Sequence, residues 1–332
     1  MNSQSVNALK VGLVGFGSWP RQAYLPAIKL RNDIEIISVA ASSDKTLKLA
    51  KSILGESLKT YKETSYIPDL SLDAVFIALP NRKLTDEALS SYLDMRSPPH
   101  IFVEAPFTLD THLYHSSQNF DLSSYPIVHV DLELTHLPII EAIIKIINER
   151  NLLEINNVQV SLKCNWAKSW GIDKKQIKHK ILEISTWYID IVHYLLKKHG
   201  FHRSDSINSV SDKNNSYIGE IILNYDSLCG AVSTGIWKYD FDSEHPFSVH
   251  IELSGKNFNV KGDLISGELN IQTNGLSTQY SFPSKNPDIY TTGISESIES
   301  FVNGIRENKQ TKTDMSFYAD VLKIQDSIFS KT

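Results

Sequence analysis

The sequence predicts an α/β fold in two parts: an N-terminal doubly wound parallel sheet, then an α+β part built on a large, mostly antiparallel open sheet. Three observations carry this. A short apolar strand runs into a glycine turn and a helix start within residues 9–30. Buried-type strands then alternate with helical stretches to about residue 130, the pattern of a parallel sheet covered by helices. Beyond that point apolar residues alternate with polar ones, as in antiparallel strands with one wet face. A length of 332 residues supports two separate cores. The boundary is placed after residue 130, giving parts 1–130 and 131–332.

The first strand covers Val11 to Val14 and feeds Gly15-Phe16-Gly17-Ser18-Trp19-Pro20. A buried strand, a tight glycine turn and a helix start together form the cradle that holds a dinucleotide pyrophosphate. Gly15 permits the sharp turn, and Gly17 removes a side chain so that backbone approaches phosphate. The N–H groups of the following helix then face the anion. Pro20 replaces the third glycine of the G-x-G-x-x-G pattern, at little cost, because a first-turn N–H has no partner inside the helix. A lone G-x-G is also a common structural turn. Its place after an N-terminal buried strand, ahead of alternating strands and helices, favours nucleotide binding.

A second buried strand follows at 34–40 and ends in Ala41-Ser42-Ser43-Asp44-Lys45. In NAD-binding folds an acid at this tip takes the ribose hydroxyls. Two serines followed by Asp44 and Lys45 suit a 2′-phosphate better, so NADP is expected, with NAD also possible. The alternative is that Ser42 and Ser43 cap the helix running through Leu47 and Ala50. A third strand lies within 71–78 and leads to Leu79-Pro80-Asn81; a helix follows over 84–93. The fourth strand, 101–103, ends in Glu104-Ala105-Pro106, and the fifth spans 126–130. A ligand belongs outside the carboxyl ends of such strands. Phe16, Ser18, Trp19, Leu79, Pro80, Asn81, Glu104 and Ala105 therefore join Gly15, Gly17, Ser42 and Ser43 as cofactor-binding candidates. In the second part a helix is expected over 138–151, strands at 158–162, 219–224, 247–253 and 257–260, and closing helices over 293–306 and 316–330.

Composition narrows the function classes. Thirty-three basic residues stand against 38 acidic ones, a net charge of −5, without the basic excess of a nucleic-acid binder. The two cysteines, Cys164 and Cys229, sit in no metal-type spacing and are expected to be reduced and buried. Residues 1–8 are polar, without an apolar signal core, and no apolar run reaches membrane-span length. The expectation is a soluble cytoplasmic protein with no membrane partner. The histidines show no metal-ligand spacing, so no metal is expected, and no serine or cysteine nucleophile motif occurs.

Several stretches in this order resemble the glucose–fructose oxidoreductase / inositol dehydrogenase (Gfo/Idh/MocA) family over nearly the whole length. They are Val11-Gly12-Leu13-Val14-Gly15-Phe16-Gly17-Ser18, Ala23-Tyr24-Leu25-Pro26-Ala27, Asp73-Ala74-Val75-Phe76-Ile77-Ala78-Leu79-Pro80-Asn81, Ser254-Gly255-Lys256 and Glu299-Ser300-Phe301-Val302-Asn303-Gly304-Ile305-Arg306. The resemblance implies an N-terminal Rossmann domain, NAD(P)-dependent hydride transfer to or from a small molecule, and a C-terminal domain whose exposed sheet often joins copies into a homo-oligomer.

The catalytic positions of that family are changed. Its Glu-Lys-Pro reads Glu104-Ala105-Pro106, so the lysine is alanine. Its helix motif D-x-G-x-H-x-x-D falls on Glu183, Ser185, Trp187 and Asp190, so the histidine is tryptophan. The histidine of P-N-x-x-H falls on Leu84, and the glycines before the helix motif fall on Lys178 and His179. Alcohol oxidation needs a group to take the hydroxyl proton, help worth about 10²–10⁴ in rate, or roughly 3 to 5 kcal/mol. Alanine and tryptophan cannot give it, which disfavours sugar or inositol oxidation.

Residues 181–196 carry an apolar face at Ile181, Ile184, Tyr188, Ile191 and Leu195. Lys180, Glu183, Trp187 and Asp190 form a second stripe at helical spacing, and Lys180, Glu183 and Asp190 are the catalytic candidates. For Lys180 and Glu183 the alternative is a solvated ion pair; for Trp187 it is core packing. His129 and Asp131 end the fifth strand and are plausible site residues, whereas His136 fits a helix entry. Trp166 and Trp170 either wall a pocket or pack on the sheet. Two readings follow. One is a nicotinamide-dependent reductase of a C=N or conjugated substrate. Biliverdin and thiazolinyl imine reductases resemble this broad family and depart from the same Lys/His pattern, and Val128-His129-Val130-Asp131 resembles a strand end of bacterial biliverdin reductases. The other is a cofactor- or ligand-binding protein without redox turnover, a sensor or subunit.

Overall fold

The computed structural model describes residues 7–62, 67–68, 71–108, 126–152, 154–169, 171, 173, 176–211, 217–244, 247–286 and 291–329. The chain forms two compact units. One comprises Met1–Asp131 with Ser297–Ala319, the other Leu132–Glu296 with Asp320–Thr332. The first unit thus recruits a segment from the far end of the chain, where the sequence reading expects two consecutive stretches. Backbone pairing is the reason. Val130 N–H donates to the Thr313 carbonyl and the Thr313 hydroxyl donates to the Val130 carbonyl, both at 2.8 Å.

The first unit is a six-stranded parallel sheet: β1 (Leu9–Val14), β2 (Ile34–Ala40), β3 (Lys59–Tyr61), β4 (Ala74–Ile77), β5 (His100–Glu104) and β6 (Val128–Asp131). Their order is β3-β2-β1-β4-β5-β6, reversing direction between β1 and β4. Short helices α1 (Ser18–Gln22) and α2 (Tyr24–Lys29) follow β1, α3 (Asp44–Leu54) follows β2, and α4 (Arg82–Leu93) follows β4. β4 is wholly buried, as a parallel strand covered on both faces must be. One face stacks Phe76 on Phe102 (4.7 Å between ring centroids) and Phe102 on His129 (4.9 Å), with Phe301 edge-on to the two phenylalanines. Each phenylalanine buried this way stabilises the fold by roughly 1.5–3 kcal/mol.

The second unit holds an eight-stranded sheet ordered β14-β13-β12-β11-β7-β10-β9-β8. Its strands are β7 (Ile155–Lys163), β8 (Phe201–Ser211), β9 (Ile218–Ser227), β10 (Val232–Asp240), β11 (Ser248–Gly255), β12 (Phe258–Asp263), β13 (Glu268–Thr273) and β14 (Leu276–Ser281). Neighbours run antiparallel except β10 beside β7. α5 (Pro138–Glu149) and the long α7 (Ile177–Lys198) belong to this unit, with the single turn α6 (Trp166–Ser169) between them. α7 packs across β7, β8 and β10. It buries Ile181, Ile184, Tyr188, Ile191 and Leu195, the face expected from their spacing. The division between units falls inside the closing helices α8 (Ile294–Glu307) and α9 (Met315–Phe329).

Away from the helices, β7, β11 and β12 present Gln159, Ser161, Lys163, His250, Glu252 and Lys261 to a basin of about 750 Å³. Of the two cysteines only Cys164 is buried. Cys229 is exposed, because it sits in the tight turn between β9 and β10 where no core is within reach. Among the described residues no helix is long and apolar enough to cross a membrane.

Candidate functional site

At the reversal point, β1 runs into the glycine turn. Gly15 has φ +96°, and a Cβ there would lie 2.1 Å from the Ala78 carbonyl oxygen after β4. Its N–H donates to the Ala40 carbonyl at 2.9 Å, so this residue stitches together the ends of three strands. Gly17 differs. It starts α1 with φ −70°, and a Cβ added there would meet nothing within 4 Å. Gly15 is thus held by the fold, while Gly17 leaves an open approach to backbone. Pro20 lies in the first turn of α1, where a missing N–H costs little. Phe16 is buried, Ser18 is exposed and Trp19 is half-buried. The helix itself is short and passes into α2 at Ala23.

The neighbouring loops have mixed duties. Ser43 caps α3, its Oγ accepting from Thr46 N–H at 3.2 Å, while Ser42 is exposed. Asp44 pairs with Lys62 (2.9 Å), which follows β3. Sequence reasoning missed Lys62, since a three-residue strand such as Lys59–Tyr61 leaves no periodic trace. Leu79 is half-buried and Pro80 exposed; Asn81 caps α4, its Oδ1 accepting from Leu84 N–H at 3.0 Å. Ala105 is buried, and Glu104 is half-buried at the end of β5.

Glu104 accepts from Trp19 Nε1–H at 2.8 Å, tying the glycine turn to β5. It also hydrogen-bonds to Asp131, its register partner on β6. Asp131 is fully buried, accepting at Oδ1 from Ser297 (2.7 Å) and at Oδ2 from Tyr24 (2.9 Å). His129 Nε2 lies 2.9 Å from Ser297 Oγ, and Nδ1 lies 3.0 Å from Thr311 Oγ1. Burial pushes the Asp131 carboxyl up to about 7, against the hydrogen bonds from Ser297 and Glu104. Burial likewise lowers His129 to about 3, with the Lys312 charge acting in the same direction. This chain of groups joins residues more than 160 positions apart; only the ends of strands 5 and 6 were visible beforehand.

In the second unit the α7 candidates divide. Lys180 and Glu183 pair with each other at 2.7 Å, both partly exposed. Asp190 is fully buried, with Oδ2 accepting from Thr135 Oγ1 at 2.7 Å and Oδ1 unpartnered. Burial pushes its carboxyl up to about 7, against the Thr135 bond. Trp187 is half-buried with its Nε1–H unpartnered. Trp166 packs on Phe241 and Phe247 (centroids 5.9 and 5.6 Å), and His136 sits buried in the 3₁₀ turn before α5. Trp170 lies outside the described residues, as do the side chains of Lys178 and His179. Among the described residues no group of three or more His, Cys, Asp or Glu side chains is placed to hold a metal.

No protein-family model matches the chain, and no curated protein sequence matches it. Solved structures do. A dehydrogenase from Chromobacterium violaceum matches over 98% of this chain and 96% of its own, with TM-score 0.76 and 17% identity. A 3-ketoreductase from Actinomadura kijaniata, solved with NADP and TDP-benzene, covers 98% of each chain at TM-score 0.71 and 15% identity. Levoglucosan dehydrogenase, solved with NADH and levoglucosan, covers 98% of this chain and 97% of its own at TM-score 0.74 and 16% identity. These likenesses establish the fold.

Proposed function

We propose that this chain, which has the fold of the Gfo/Idh/MocA oxidoreductases, is an NAD(P)-dependent oxidoreductase that reduces a C=N or conjugated substrate. The observation that carries the reading is the glycine turn at the sheet's reversal point, where Gly15 is locked and Gly17 leaves backbone open to a ligand. The similar structures solved with NADP and NADH support the same cofactor class. Gly15, Phe16, Gly17, Ser18 and Trp19 would hold the pyrophosphate, and Leu79, Pro80, Asn81, Glu104 and Ala105 would border the nicotinamide half. A nicotinamide held there would supply the hydride.

The buried Ala105 and the half-buried Trp187 carry no group able to accept an alcohol proton at neutral pH, which argues against sugar oxidation. On α7 we assign Lys180, Glu183 and Asp190 to the substrate. The ion pair would meet polar substituents, and Asp190, with its carboxyl proton held up near pH 7, would give or take one hydrogen bond at its unpartnered oxygen. A second copy of the chain packing on the polar basin of the sheet is part of the same reading, and light scattering would return a dimer mass or larger. We assign the protein to the cytoplasm.

Titrating NADPH and NADH against the protein by fluorescence, then following absorbance over a panel of cyclic imines, conjugated carbonyls and aldehydes, tests the proposal. Tight binding with turnover on an imine or conjugated compound is expected. Binding without turnover on any compound would favour the cofactor-binding protein that the changed Lys and His positions also allow. No binding of either dinucleotide would end both readings.

Ser42, Ser43 and Lys62 are assigned to the cofactor's 2′-phosphate, with Asp44 as the counter-charge of Lys62. Reversing Lys62 to Glu should weaken NADPH binding about tenfold, near 1.4 kcal/mol, and leave NADH nearly unchanged. The difference should shrink in high salt, because both charges are exposed.

A further inference from the structure

The reduction proposed above needs a proton as well as a hydride, and Ala105 and Trp187 stand where the resemblance places a lysine and a histidine. The first unit keeps a proton at the right strand ends. In this sheet order the loop after β2 meets the adenosine ribose, so the ends of β4, β5 and β6 serve the nicotinamide half. Glu104 and Asp131 are register partners at the ends of β5 and β6, side by side on one face of the sheet. Asp131 is sealed from solvent beside Glu104, and two carboxylates crowded into one buried place retain a proton between them.

The surrounding groups fix where that proton sits. Ser297 spends its hydroxyl hydrogen on Asp131 Oδ1, so His129 Nε2–H must donate to Ser297 Oγ, and His129 Nδ1 accepts from Thr311. Tyr24 donates to the other Asp131 oxygen. Every hydrogen in the network therefore points toward Asp131, which is the acceptor, and the shared proton belongs on the Glu104 side. The ordinary imidazole charge would spoil this order; the burial of His129, with Lys312 nearby, keeps the ring neutral. Asp131 is sealed from solvent, whereas Glu104 is only half-buried, so Glu104 alone reaches a ligand. Its other bond, from Trp19 Nε1–H, holds the carboxyl beside the glycine turn.

We propose that Glu104 is the general acid of the reduction, holding a proton shared with Asp131 and passing it to the substrate nitrogen, an assignment that rests on the reductase reading above. The bookkeeping of atoms closes. The C=N carbon gains a hydride from the reduced nicotinamide, the nitrogen gains the Glu104 proton, the C=N double bond becomes a CH–NH single bond, and the nicotinamide leaves oxidised. The Glu104 carboxylate then recovers a proton from solvent. Asp131 is a positioning residue: it raises the proton affinity of its neighbour and touches no ligand.

Two measurements test this. The first needs no turnover. Infrared spectra at neutral pH, in an Asp190→Asn background that removes the other fully buried aspartate, should show a protonated-carboxyl band that disappears in Glu104→Gln and equally in Asp131→Asn. A band that survives both substitutions overturns the shared proton. The second uses NADPH and the imines of the panel. At saturating NADPH, Glu104→Gln should lose about 10²–10⁴ in kcat, while Glu104→Asp keeps part of the rate. Asp131→Asn should shift the pH at which kcat falls more than it changes KM. A Glu104→Gln enzyme that turns over at the wild-type rate overturns this assignment alone. A wild type that binds NADPH and reduces nothing on the panel overturns the reductase reading and this assignment with it.

Discussion

Replacing Gly17 with Ala should leave the fold intact and cut NADPH affinity by roughly 10- to 100-fold, whereas Gly15→Ala should unfold the N-terminal unit at a much lower temperature. The two glycines stand two residues apart and look alike in sequence; their surroundings separate them. At Gly17 the backbone angles suit any residue and the new methyl meets no protein atom, so stability should stay within about 1 kcal/mol of wild type. That methyl would instead occupy the open space through which a phosphate approaches backbone, and crowding of this size costs about 1–3 kcal/mol. At Gly15 a side chain pays for a left-handed backbone, about 1–2 kcal/mol, and drives a carbon to 2.1 Å from the Ala78 carbonyl oxygen. The strand ends must part to relieve it, adding about 1–3 kcal/mol. A total near 4 kcal/mol corresponds to a fall in Tm of about 8–16 °C for a unit this size. Calorimetry and fluorescence titration on the two variants check both halves. Normal NADPH binding by Gly17→Ala would remove the main support for a dinucleotide at this turn.

That contrast also marks how far sequence carried the fold. β2 comes out at Ile34–Ala40, the stretch that its apolar run marks, and α4 begins two residues ahead of the expected start because Asn81 caps it. Buried parallel strands announce themselves, since both faces must be apolar. β3 and β14 gave no such signal. Lys59–Tyr61 is too short, and Leu276–Ser281 lies at the sheet edge with neither face covered, so nothing selects an apolar pattern there. β8 and β10 escape the same reading, because serines and a threonine interrupt the apolar alternation of Phe201–Ser211 and Val232–Asp240.

The site was legible in its loops and not in its pairings. Gly15, Gly17 and the strand-end loops could be placed because a Rossmann sheet puts ligands at one edge. The proton network could not, because Ser297 and Thr311 reach β6 from a segment whose return to the first unit no local pattern encodes. On α7 the helical spacing did group Lys180, Glu183, Trp187 and Asp190. It could not say that the first two pair in partial exposure while Asp190 is sealed in, since that depends on Thr135 and on elements far along the chain.

Asp190→Asn should make the second unit more stable than wild type at pH 8, by on the order of 4 kcal/mol, and nearly equal to it at pH 4. The sign follows from linkage. Burial raises the folded-state pKa of Asp190 to about 7, above an unfolded value of about 3.9. Between those values the folded unit holds a proton that the unfolded chain has released, so stability falls by about 1.4 kcal/mol per pH unit and then levels off above pH 7. Asparagine carries no charge at any of these pH values, and its carbonyl still accepts from Thr135, so the variant keeps the neutral shape and drops the titration. The proton that Asp131 shares with Glu104 in the first unit, held there by burial, should impose a downward slope of the same sign, which Asp190→Asn leaves untouched. Calorimetric scans of wild type and variant at pH 5 and pH 8 separate the cases. A gain of roughly 10 °C in Tm at pH 8, falling to about a third of that at pH 5, is the expected result. Equal stability at pH 8 would mean that Asp190 is ionised there with its unpartnered oxygen compensated, and its role as a neutral donor to substrate would fall with that result.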